Sequence, residues 1–207
     1  MKDYSQHGES LVLNYLFEKI GTVGKYGVEF GASDGYHLSN LRLFLEAGWK
    51  GLQMEGFAHS GSGVKQEFIT KENINELFDK YQVPKIFDLL SIDIDGNDYW
   101  VWKEIDREPN VVIVEYNSNF PIDLSVALEY SPSHTFNGSY AYSASFKALC
   151  NLGERKGYYL YQEVAYCNLI FVKNIFKEIA PSLFSQISLP FYQHGRNLNG
   201  KKFVDVE

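Results

Sequence analysis

Two short stretches constrain the fold of this 207-residue chain more than any other feature: "IFDLLSI" (86–92) and "NVVIVEY" (110–116). The first is nearly continuously apolar apart from Asp88 and Ser91, and the second is of the same type. Strands that read this way are covered on both faces. Only "YWVWKEI", a short helical pattern, lies between them. Strand, helix and strand in that order make a crossover between parallel strands.

The rest of the chain extends the alternation. "SLVLNYLFEKI" has helical spacing, "KYGVEF" is β-prone, and Ser39 is placed to cap a helix over "NLRLFLEAG" that Gly48 ends. "WKGLQME" reads as a second strand, "VKQEFI" as a weaker third, and "ITKENINELFDKY" as a helix with Thr70 as its cap. After a polar, aromatic loop at 117–142 come a helix over "SASFKALCNLGERKG" and the strands "YYLYQEV" and "CNLIFV", expected to pair antiparallel. The expectation is an α/β fold, a single doubly wound, mostly parallel sheet in one domain spanning 1–207. The tail at 181–207 is left unassigned.

Charge narrows the partners. Nineteen basic against 26 acidic side chains give −7, which argues against broad binding to nucleic acid or to an anionic membrane. Neither an apolar leader nor a spanning-length apolar run is present, which sets a cytoplasmic expectation. Cys150 and Cys167 are expected as buried free thiols of a reducing compartment. Oligomeric state is open, a homodimer included.

"VEFGASDG" (28–35) stands where nucleotide-binding sheets carry their glycine turn. Glycines such as Gly31 and Gly35 let the chain turn and a ligand approach. A dinucleotide loop should present bare amides to a pyrophosphate, yet here Glu29 and Asp34 bring carboxylates. Glu55, some twenty residues on, can accept both hydroxyls of a ribose. The compatible ligand is an adenosine with a cationic, phosphate-free appendage, S-adenosyl-L-methionine.

The motifs "YSQHGES", "VEFGASDG", "SIDIDGNDYW", "VVIVEYNS", "YSASFKAL" and "GERKGYYLY" resemble those of the FkbM-related group of class I S-adenosylmethionine-dependent methyltransferases, over Tyr4 to about Val172. The resemblance implies a Rossmann-like seven-stranded sheet whose last strand is antiparallel. It also implies donor contacts from Gln6, Glu29, Gly31, Asp34, Gly35, Glu55 and Asp93. Members of this group often methylate hydroxyls of sugars or natural products, so a carbohydrate or other small-molecule acceptor is implied. Where related sequences tend to carry an acid after "GE", this chain has Ser10.

Asp93 and Asp95 are two apart at a strand end and so share a face, as do Glu115 and Asn117. If the two strands are neighbours, the four groups converge. They are then available for donor binding, for general base catalysis, or for Mg2+ or Mn2+ held by Asp93, Asp95 and Asn117. Asp98 is read as the cap of the following helix. Candidate bases are Asp95, His7, His59 and His134. Rings and amides of the 117–142 loop suit a polyhydroxylated acceptor, with Asn119, Tyr140 and His134 as the binding candidates.

Three rival readings stand beside this. A metal-dependent glycosyltransferase would use Asp93 and Asp95 as its D-x-D. A hydrolase would need Ser60 or Ser62 as nucleophile, but "HSGSG" lacks the G-x-S-x-G elbow. A non-catalytic binding domain would retain the sheet alone.

Overall fold

The computed structural model describes residues 2–57, 62–184 and 200–207. The elements in chain order are α1 (Glu9–Ile20), β1 (Tyr26–Phe30), α2 (Arg42–Glu46), β2 (Lys50–Glu55), β3 (Lys65–Gln66), α3 (Ile74–Lys80) and β4 (Ile86–Ile92). They continue with α4 (Asp98–Glu104), β5 (Glu108–Glu115), β6 (Val126–Leu128), α5 (Phe146–Arg155), β7 (Tyr158–Val164), β8 (Asn168–Lys173) and β9 (Phe203–Asp205). Seven strands form one sheet in the order β3-β2-β1-β4-β5-β8-β7. The first five of that order pair in parallel, while β8, last of the seven in the chain, runs antiparallel to β5 and β7. This is the strand order of the class I methyltransferase type of Rossmann-like fold.

The two apolar stretches owe their composition to burial from both sides. Val112 and Val114 of β5 point into a core shared with α3, α4 and α5, including Phe78, Trp102 and Leu149. Val111 and Ile113, one residue out of phase, pack with Leu13, Leu16 and Phe17 of α1 and Phe44 of α2. Each such side chain, fully buried, contributes about 1.5–3 kcal/mol. Asp88, the charged exception in β4, accepts hydrogen bonds from the backbone N–H groups of Val23, Gly24 and Tyr26 at 2.6, 3.1 and 3.1 Å. It fastens the turn leading into β1, which explains a carboxylate inside a covered strand.

The architecture departs from the sequence expectation at the following elements. The third strand is only Lys65–Gln66, and the helix after Ser39 begins at Arg42, whose N–H donates to the Ser39 hydroxyl at 2.9 Å. The N-cap position of α3 is held by Asn73 and not by Thr70. The last departure is the 117–142 loop, which carries β6, paired antiparallel with β9 from the tail. That partner lies about 75 residues away in sequence, beyond the reach of a local pattern. Cys150 and Cys167 are free and half-buried, and no helix among the described residues is long and apolar enough to cross a membrane.

Candidate functional site

Because β1, β2, β4 and β5 are parallel, their carboxyl ends open on one side of the sheet. A cavity of about 490 Å³ lies there, lined among others by Gly31, Glu55, Asp93, Asp95, Glu115 and His134. Gln6 reaches it from the N-terminal segment. Gly31 is a geometric necessity. Its φ is +70°, and a Cβ on it would collide with the carbonyl oxygen of Asp93, so the ends of β1 and β4 meet backbone to backbone.

The glycine turn divides its acids between two jobs. Glu29 is buried and faces away from the cavity. Its carboxylate accepts from the Ser39 hydroxyl (2.6 Å), the Asn40 and Leu41 N–H groups (2.6 and 3.3 Å) and the Gln53 amide (2.8 Å). Burial raises its pKa, and these donors oppose the rise. Asp34 does not line the cavity. It accepts from the Tyr36 and His37 N–H groups at 2.9 and 2.8 Å and pairs with the His37 ring, which holds its carboxyl well below the usual range. Gly35, at φ +80°, packs against Gln53 and Val64. Glu55 does face the cavity, and its carboxylate accepts from the Ser33 N–H at 3.1 Å, tying the end of β2 to the turn.

The acids at the carboxyl ends of β4 and β5 form a tight cluster. Asp93, Asp95 and Glu115 each present a carboxylate oxygen within 4.8 Å of the other two. No ion pair to any of them occurs among the described residues. Burial, then the Asp98, Asp95, Glu29 and Glu55 charges, pushes the Asp93 carboxyl well up. Burial, then Asp93, Asp98 and Asp95, does the same to Glu115. Asp95 is raised by burial and by Glu55. Oε2 of Glu115 is buried and lacks a hydrogen-bond partner among the described residues. A buried orphan of this kind calls for something positive or a proton.

Asp98 does another task than the expected cap. The α4 helix opens with no side-chain cap from Asn97, and the Asp98 carboxylate bends back to accept from Ile94 N–H (2.9 Å) and Gly96 N–H (2.8 Å). It pins the turn that displays Asp95, and burial raises it to about 6. Asp95 itself holds φ +57°, a left-handed backbone uncommon for a residue with a side chain.

Asn117 shares a strand face with Glu115 but lies just past the strand end. Its amide donates to the Tyr140 and Tyr142 carbonyls, both at 3.0 Å, and its oxygen accepts from Asn119. Those bonds fix the loop, and Glu115 is the third member of the carboxylate cluster in its stead. Asn119 and Tyr140 line a second concavity of about 330 Å³, which shares Phe136 with the first. His7 is exposed and does not line either; its N–H donates to the buried Glu9 at 2.7 Å. Ser10 is tied through its hydroxyl to Asp3.

His134 is buried at the cavity wall with both ring nitrogens engaged. Nε2 lies 2.9 Å from the carbonyl oxygen of Asp95, and Nδ1 lies 2.8 Å from Nζ of Lys201 in the tail. His59 and Ser60 fall outside the described residues. Neither Lys201 nor Phe136 is marked out by the sequence. Phe136 was one ring among many in its loop, and nothing near Lys201 signals a site.

No protein-family model matches the chain. No curated protein matches it either. Among solved structures it resembles the N-terminal domain of EvdMO1 with SAH bound, at 13% identity over 80% of each chain and a TM-score of 0.47. The same domain in the presence of SAH and D-fucose gives 14%, 81% of this chain and 83% of that one, with a TM-score of 0.47. An S-adenosylmethionine-dependent methyltransferase from Clostridium acetobutylicum ATCC 824 gives 10%, 83% and 92%, with a TM-score of 0.46. Likenesses this distant carry no functional weight.

Proposed function

We propose that the cavity binds S-adenosyl-L-methionine and that the chain is a methyltransferase acting on a hydroxyl of a small molecule, a sugar or similar polyhydroxylated ring. Membership of the FkbM-related group is part of the same reading. The observation that carries it is the cavity's charge. Glu55, Asp93, Asp95 and Glu115 converge at the carboxyl ends of a nucleotide-binding type of sheet, and none of them is ion-paired among the described residues. A nucleoside bearing a cation fits there, and a diphosphate is repelled.

The bound donor would supply an already activated methyl group, which leaves its sulfur as a neutral thioether when an acceptor oxygen attacks in line. The chain's part is placement and proton handling. Glu55 is placed to accept ribose hydroxyls. Asp95 or Glu115, both raised in pKa, can take the proton lost by the acceptor hydroxyl. The Asp93, Asp95 and Glu115 oxygens also suit Mg2+ or Mn2+, which would lower the pKa of a bound hydroxyl.

Calorimetry with S-adenosylmethionine, with and without magnesium, tests the reading. Micromolar to sub-millimolar binding is expected. Silence at millimolar donor defeats it, and binding of a nucleotide-sugar in its place transfers the Asp93–Asp95 pair to a glycosyltransferase.

A further inference from the structure

We propose that Lys201 is a positioning residue: the tail brings it to His134, where it fixes the ring as the Nε2–H tautomer and so holds the Asp95 turn at the cavity rim. The polarity of the two ring contacts leaves one solution. A lysine ammonium has donors and no acceptor, so Nδ1 facing Lys201 at 2.8 Å must offer its lone pair. A carbonyl oxygen only accepts, so Nε2 facing Asp95 at 2.9 Å must carry the proton. The Lys201 contact excludes a proton on Nδ1, the Asp95 contact requires one on Nε2, and together they select the neutral Nε2–H tautomer.

The clamp acts on a turn that needs one. Asp95 sits at φ +57°, a left-handed backbone that is strained for a residue with a side chain. The ring also lies directly on Gly96, where an added Cβ would collide with it. A second tie joins the same two loops, since the Asn97 amide donates to the Ser131 carbonyl at 2.8 Å. His134's own N–H returns to that carbonyl at 3.0 Å.

Lys201 is in turn held by backbone. β9 pairs with β6, the Glu129 N–H donates to the Lys202 carbonyl at 2.8 Å, and the Ser125 hydroxyl donates to the Val206 carbonyl at 2.7 Å. The tail thereby braces, through Lys201, a residue of the cavity wall. His134, with no lone pair left over, orients Asp95 and is not itself a base. From the proposed function this inference takes only that Asp95 serves the cavity's chemistry.

The test uses the full chain, uniformly labelled with nitrogen-15. Long-range proton–nitrogen correlation at pH 7.5, with the His134 signals assigned from H134Q, should show the Nε2–H pattern. In K201M, exchange of the Gly96 amide should quicken by about tenfold or more while β5 core amides keep wild-type rates, and K201R should restore it. An Nδ1–H tautomer in the wild type overturns the inference, as does Gly96 exchange in K201M within about twofold of wild type. If K201M does not fold, the wild-type tautomer still decides. Donor binding is scored separately by calorimetry, so its loss would defeat the proposed function and leave the tautomer result standing.

Discussion

The space where Gly31 would carry a Cβ is filled by the carbonyl oxygen of Asp93. This contact sets the gap between the glycine turn and the acidic cluster, because neither backbone can move without the other. Gly31→Ala must therefore pay for a left-handed φ and displace a strand end together. A loss of about 2–4 kcal/mol is expected in urea unfolding. An alanine variant as stable as the parent would mean that the two strand ends are not in contact.

Glu55 and Asp34 were paired by sequence but sit in different surroundings. Glu55→Ala removes a cavity acid and should weaken S-adenosylmethionine binding by about 10- to 100-fold, the worth of a charge-assisted hydrogen bond. Asp34→Asn changes a turn that the cavity does not see, and affinity should stay within about threefold. Calorimetry on both variants distinguishes them, and the reverse ranking would return Asp34 to the site.

The cluster also fixes the sign of a pH dependence. Asp93, Glu115 and Asp98 have folded pKa values above their unfolded ones, Asp98 at about 6. The folded state then holds more protons, and stability falls as pH rises through each folded value. His134, lowered by burial, works the other way and is lost as pH falls below its unfolded value. Three carboxyls outweigh one imidazole, so the ligand-free protein should melt at a higher temperature near pH 5.5 than at pH 8. Melting temperatures flat or rising over that range would contradict this balance.

Glu115→Gln keeps the shape and removes one buried carboxylate whose Oε2 has no partner among the described residues. Thermal unfolding at pH 8 without ligands should show a gain of about 1 kcal/mol or more. Manganese binding, followed by electron paramagnetic resonance, should drop at least about tenfold. A variant that loses stability and keeps manganese affinity would place the third ligand elsewhere.

Much of the frame was legible because its signals are local. Covered strands announce themselves by unbroken apolar runs, and the two-residue period puts Asp93, Asp95 and Glu115 on corresponding faces. What distinguishes Glu115 from Asn117 is where β5 stops, and parity alone carries no information about that. Asp34 illustrates a second limit. A carboxylate two and three residues ahead of free N–H groups closes its own turn before it meets a ligand. The Lys201–His134 contact left no trace at all, since it depends on pairing between β6 and β9.

That pairing has a consequence for the order of assembly. A nascent chain has already emerged through β8 when every strand of the large sheet exists, yet the wall behind His134 is still open. It closes only when Phe203–Asp205 clears the ribosome and finds Val126–Leu128. A ligand met during synthesis would encounter His134 without its Lys201 brace.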